Sequence, residues 1–210
     1  MNERSQLRIV ACEGKDDMEV MQALANHAGI GDRLSFEEYA SAGTLRKYLA
    51  TLRSRPEFSN GQIVSVLLTR DADENAASAW QSVKDGLHDT LGVVLSEPKE
   101  IGVHENGVKF SGWIVAGNGN KGMIETLLLE AARESHPETF GCLDAFVECV
   151  GRSGGQALHE KARFHVWTIL AQKPGAQDRL SLRTALHQVP PKWDSPVFSA
   201  LLEVLKAAAE

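Results

Sequence analysis

The chain has 210 residues and a mass of 22.9 kDa, long enough for one large domain or one domain with an appended lobe. Its 43% hydrophobic and 24% charged residues are the balance of an ordinary folded protein, no apolar run approaches the length needed to span a bilayer, and Met1 to Gln6 lack a signal-peptide pattern. A formal charge of −6 argues against gripping nucleic acid across a broad basic face, although it leaves room for a nuclease whose acids bind metal ions that then meet the phosphates.

Residues 7 to 12 form an apolar run that predicts a buried strand, and Met18, Val20, Met21, Leu24, Ala25 and Ala28 then recur at helical spacing until Gly29 and Gly31. Residues 34 to 40 predict a short second strand, followed by a helix over 42–53 with Leu45, Tyr48, Leu49 and Leu52 on one side. Pro56 and Asn60-Gly61 separate that helix from a third strand, 62–69, which leads into a helix over 74–90. Strand and helix in alternation favour a mostly parallel sheet covered by helices on both faces. Asn106-Gly107, between two short β-like runs, predicts an edge hairpin whose second strand continues to Ala116.

From Gly122 onward the pattern is helical: 123–134, 137–150, about 155–171, and a last helix after Asp194-Ser195-Pro196, where a cap and a proline mark the start. The division expected is an α/β core over 1–136 and a helical C-terminal section over 137–210 packed on it. Gly151 to Gly155 and Lys173-Pro174-Gly175 are the candidate hinges. Cys12, Cys142 and Cys149 are odd in number and lack paired short spacings, which argues against disulfides and structural zinc; the compartment expected is the cytoplasm.

Two acidic clusters carry the chemistry. Glu13, Asp16 and Asp17 follow the first strand, and Asp71 and Asp73 follow the third. Ligands of an open parallel sheet collect outside the carboxyl ends of its strands, so acids from two strands can converge there. Carboxylates gathered that closely repel, and a hard cation with oxygen ligands, Mg2+ or Mn2+, relieves the repulsion. Each acid also has a plain structural reading. Asp16 or Asp17 suits the N-terminus of the next helix, and Asp71 or Asp73 suits a cap of the helix near Glu74. Together with Glu13, the joint pattern favours a metal site.

A strand ending Glu13-Gly14-Lys15-Asp16-Asp17 with a later strand ending Asp71-Ala72-Asp73 resembles the Toprim domain of topoisomerases, bacterial primases and nucleases. More closely, with Gly117 to Glu130 and Trp193 to Phe198 included, the chain resembles a Toprim-like family of bacterial proteins of unknown function. The resemblance implies a Rossmann-like sheet flanked by helices. It implies general acid or base work or metal binding for Glu13, and metal binding for Asp71 and Asp73. From nucleases of the overcoming-lysogenization-defect type it implies metal contact for Asp17 and for Glu125, and a catalytic lysine, for which Lys161 is the candidate by its position after the sheet, with Lys121 and Lys15 competing. The Ser-x-Glu motif of those enzymes is here Met123-Ile124-Glu125, which leaves a second metal open. DNA or RNA as substrate, a separate ATPase partner and a place in bacterial defence against phage are further implications of the resemblance.

Other motifs are weaker. Gly117 to Gly122 matches G-x-G-x-x-G, yet no strand bearing a ribose-binding acid follows it, and Gly14-Lys15 is followed by Asp16 rather than a Walker serine or threonine. The seven histidines form no metal-ligand spacing, Trp80, Trp113, Trp167 and Trp193 are scattered as core aromatics are, and neither Tyr39 nor Tyr48 has the context of a topoisomerase nucleophile. The function expected is metal-dependent phosphodiester cleavage of a nuclease kind. The alternative is a noncatalytic module that binds a partner or regulatory ligand.

Overall fold

The computed structural model describes residues 6–117, 120–153, 158–171, 182, 186 and 189–210. Strand β1 (Leu7–Cys12) runs into helix α1 (Lys15–His27), and β2 (Ser35–Glu38) into α2 (Leu45–Arg53) and the single turn α3 (Pro56–Ser59). Then follow β3 (Ile63–Asp71), α4 (Ala76–Leu91), β4 (Gly102–Val103) and β5 (Lys109–Val115). The rest is helical: α5 (Ile124–Ser135), α6 (Pro137–Arg152), α7 (Glu160–Ala171) and α8 (Ser199–Ala208).

These strands make one five-stranded sheet in the order β2-β1-β3-β5-β4. β1 pairs in parallel with both β2 and β3, and β3 in parallel with β5; only the β4–β5 hairpin is antiparallel. The protein is therefore an α/β fold with a mostly parallel sheet and an edge hairpin. The chain leaves β1 toward β2 on one side and returns to β3 on the other, so the order reverses between β1 and β3. That is where an open sheet leaves a crevice beyond its carboxyl ends.

The pleat sorts side chains into two cores because successive residues face opposite ways. Val10, Cys12 and Leu67 join Val20, Met21 and Leu24 of α1 and the apolar faces of α5 to α8. Ile9, Ala11, Val66 and Leu68 join Leu45, Leu49 and Leu52 of α2 and Val83 and Leu87 of α4. The first core crosses position 136: Leu128 of α5 lies in one cluster with Phe140, Trp167, Phe198 and Leu205.

Element boundaries follow recognisable chemistry. Asn75 caps α4 by accepting from the Ser78 N–H at 3.0 Å, and Gly92 at φ +68 ends that helix in the left-handed conformation. Ser195 accepts from the Val197 N–H, and a 3₁₀ turn at Pro196–Phe198 leads into α8. Several boundaries differ from expectation, among them the end of β3, the start of α2 and the segment at Pro56. β3 runs two residues further, to Asp71, because its last residues keep pairing with β5 (Asp71↔Val115). The helix expected over 42–53 begins as a 3₁₀ turn at Ala42–Thr44. Pro56, expected only to break the chain, starts α3, since a proline suits a first helical turn. The hinge candidates at Gly154-Gly155 and Lys173-Pro174-Gly175 lie outside the described residues. Among those that are described, no helix is long and apolar enough to cross a membrane.

Candidate metal site

Asp17 stands in the first turn of α1, Asp71 ends β3, and Glu125 lies in the first turn of α5. All three line a cavity of about 250 Å³ at the carboxyl ends of the strands, bordered also by Lys15, Asp16 and Lys161. Asp17 is 8% exposed and Glu125 4%. Carboxylates so withdrawn from water are rare without a counter-charge.

Local structure aims each of them. Gly14 precedes α1 in an extended conformation, and its N–H donates to Asp17 Oδ2 at 2.8 Å. A Cβ on Gly14 would stand 2.8 Å from that same oxygen, so a side chain there would shift the carboxylate. Asp71 is carried by the pleat onto the face of Leu67 and Thr69, and its Oδ1 accepts from the Ile124 N–H at 3.1 Å. It thereby serves as an N-terminal acceptor for α5, where Met123 brings no side-chain acceptor of its own. The α4 cap expected of Asp71 or Asp73 is made by Asn75 instead.

Electrostatics agree with the burial. Desolvation, with the charge of Glu125 next, pushes the Asp17 carboxyl up to about 7, against the lowering effect of the Gly14 N–H. Desolvation, then Asp17, Glu125, Glu13 and Asp73, pushes Asp71 up to about 9.

Lys161 reaches across from α7. Its Nζ is 2.9 Å from Asp16 Oδ2 and 3.6 Å from Glu125 Oε1, and the hydrogen bond to Asp16 raises its pKa. Of the competing lysines, Lys15 borders the same cavity, whereas Lys121 is paired with Glu74 at 2.6 Å. Glu13 and Asp73 flank the cavity without lining it. Glu13 forms an ion pair with Arg70 at 3.5 Å, both side chains being largely enclosed. Asp73 is exposed, with φ +48, and its backbone exchanges two 2.9 Å hydrogen bonds with Gly122.

Arg70 was not among the sequence candidates. The signal available was its place one residue before Asp71: alternation sends the two to opposite faces, and the residues two and four before Arg70, Leu68 and Val66, belong to the second core. The glycine-rich loop also has a structural account. Gly122 sits at φ +129, and a Cβ there would approach the Gly117 N to 2.8 Å, so the two glycines meet closely just before α5. Asn118 and Gly119 of that motif lie outside the described residues.

An all-carboxylate donor set from three elements fits a hard divalent cation, which Asp17, Asp71 and Glu125 could hold with Glu13 and Asp73 nearby. As the side chains stand, no group of three His, Cys, Asp or Glu among the described residues is placed to hold a metal ion. Two donor oxygens are engaged by backbone N–H groups, and Lys161 lies against Glu125.

Fold and site together define an α/β protein with a buried carboxylate cluster at the switch point of a mostly parallel sheet. The chain belongs to the family described as protein of unknown function, DUF3226, whose pattern matches residues 7–210. No curated protein and no solved structure matches it.

Proposed function

We propose that the protein is a divalent-metal-dependent phosphodiester-cleaving enzyme of the Toprim kind. The observation that carries this reading is the convergence of Asp17, Asp71 and Glu125, from three separate elements, on one cavity where burial and neighbouring charge oppose the ionisation of Asp17 and Asp71. Magnesium or manganese held by these residues would act as a Lewis acid on a phosphoryl oxygen and lower the pKa of a bound water. The protein's own groups have separate tasks. Arg70 orients Glu13 beside the cluster for general base work, and the Lys161 ammonium offers a proton and a positive charge to a departing oxygen. The Toprim likeness of the Glu13 to Asp17 and Asp71 to Asp73 segments supports the same assignment and makes DNA or RNA the substrate class.

The test is a titration calorimetry series with magnesium and manganese, followed by a cleavage screen on single- and double-stranded DNA and RNA. Saturable metal binding and metal-dependent cleavage are expected, both lost in Asp71→Ala while circular dichroism stays that of the folded protein. Equal cleavage by wild type and Asp71→Ala would count against the proposal and identify a contaminant.

A noncatalytic module is the second reading. It is favoured by the backbone hydrogen bonds of Asp17 and Asp71 and by the contact of Lys161 with Asp16 and Glu125, which already meet part of the cluster's demand for positive partners. It predicts no saturable metal binding with or without a phosphodiester present.

A further inference from the structure

A second cavity, of about 440 Å³, lies at the opposite end of the sheet, where Arg8, Ser65 and Lys109 mark the amino ends of β1, β3 and β5. Six strand steps separate Ser65 from Asp71, roughly 20 Å at about 3.3 Å per residue, so the two cavities are distinct. Its volume falls within the range of about 300–1,000 Å³ typical of small-molecule sites.

The wall on one side is the last turns of α8, through Val204, Ala207 and Ala208, and Ser65 Oγ holds that helix end to the sheet by donating to the Ala208 carbonyl at 3.2 Å. On the other side stands Ile101, 55% exposed. Gly102 explains that exposure: a Cβ there would point into Val93 and Leu95 of the second core, so the residue before it is turned to the opposite side. A simple packing gap would be walled by apolar groups alone. Here three cations, Arg8, Lys99 and Lys109, share the lining with two carboxylates, Glu203 and Glu210.

The partners of these charges decide what the cavity suits. Lys99 pairs with Glu203 at 3.2 Å and lies 5.1 Å from the centre of the Trp113 ring. Arg8 donates to Gln6 Oε1 and to the Glu210 backbone oxygen, each at 3.2 Å. Lys109, on an exposed strand position, makes no ion pair among the described residues. A chamber with an apolar wall of Leu67, Ile101, Phe110 and Val204, and at its rim an ammonium without an ion pair among the described residues, is complementary to a molecule with an apolar body and one anionic end.

We infer that this cavity is a binding site for a small amphiphilic carboxylate, whose hydrocarbon body packs between α8 and Ile101 and whose anionic group meets Lys109. The inference stands independently of the acidic cluster. The probe is decanoate, titrated calorimetrically into the full chain below its micellar limit, with decanol and decylammonium as the uncharged and cationic counterparts. Saturable binding of decanoate, weaker for decanol and weakest for decylammonium, is the expected result. Lys109→Gln is expected to weaken decanoate about two- to fivefold, the range of an exposed ion pair, without affecting decanol. Ala207→Phe, at an exposed position on the chamber wall, is expected to abolish binding of both. Should that variant fail to fold, Lys109→Glu decides the matter by favouring decylammonium over decanoate. Absence of saturable decanoate binding, equal affinity for the three probes, or binding unchanged by Ala207→Phe would overturn the inference. A dimer seen by light scattering and dissociated by Ala207→Phe would also overturn it, by showing that a second copy covers the chamber.

Discussion

Asp71 keeps its proton because ionisation there would leave a charge in a poorly hydrated cavity beside Asp17, Glu125 and Glu13. The consequence for stability has a definite sign. Below about pH 3.9, the ordinary aspartate value, folded and unfolded chains are both protonated and nothing is lost. Between that value and the folded ones, about 7 for Asp17 and about 9 for Asp71, only the folded state holds the protons, so folding weakens as pH rises. Metal-free protein is therefore expected to melt at progressively lower temperature from pH 5 to pH 9, and Asp71→Asn to flatten the upper part of that slope. A melting profile indifferent to Asp71→Asn would mean that the carboxyl is charged throughout. The same burial makes a metal prediction: added magnesium should raise the melting temperature more at pH 9 than at pH 5, because the cation meets ionised carboxylates instead of competing with protons. Lys161 contributes the other charge. Replacing it with methionine removes an ammonium from Asp16 and Glu125, so metal affinity is expected to hold or tighten while cleavage falls, at least tenfold if the lysine assists the departing oxygen. Loss of metal binding in that variant would assign Lys161 to holding the site together.

Edge strand β2 shows how a short element is secured. Its Glu37 receives Arg55 through two hydrogen bonds, at 2.7 and 2.8 Å, and Tyr48 Oη at 2.9 Å, so the segment before α3, helix α2 and the strand meet on one carboxylate. A lysine cannot reproduce the planar fork, and Arg55→Lys is expected to cost about 1 kcal/mol in urea denaturation, with most of the change in the unfolding midpoint. An unchanged midpoint would reduce the pair to a solvated contact. Much at this scale was legible in the residues: β1 over 7–12, the Asn106-Gly107 hairpin and the helices after Gly122 follow from periodicity and turn chemistry. The end of β3 was not. Arg70 and Asp71 read as the start of a loop because polar residues follow an apolar run, but pairing with β5 keeps them in the strand. Arg55 and Glu37 were likewise silent, since their meeting depends on how α3 returns to the sheet and not on any local pattern.

The two layers of helices make the sheet's two faces unequal. One is closed by α2 and α4, while the other carries α1 and α5 to α8 in a single apolar cluster that joins Val10 near the start of the chain to Leu205 near its end. Phe198 is fully enclosed in that cluster and stacks obliquely on Trp193, with ring centroids 5.3 Å apart. Phe198→Ala is expected to cost about 3–5 kcal/mol and to shift far- and near-ultraviolet circular dichroism transitions together, as one cooperative unit. A helical section that melts alone, leaving the sheet folded, would divide the protein near residue 136. By itself the sequence determined the strands, the helices and the set of acids at strand ends, because hydrophobic period, caps and turns act over a few residues. Only the tertiary structure decided that Asp17, Asp71 and Glu125 share a cavity while Asp73 stands outside it, that Lys161 rather than Lys121 reaches them, and that Arg70 holds Glu13. Those meetings depend on strand order, register and pleat, which place residues 17, 71, 125 and 161 together through contacts that no local stretch of chain encodes.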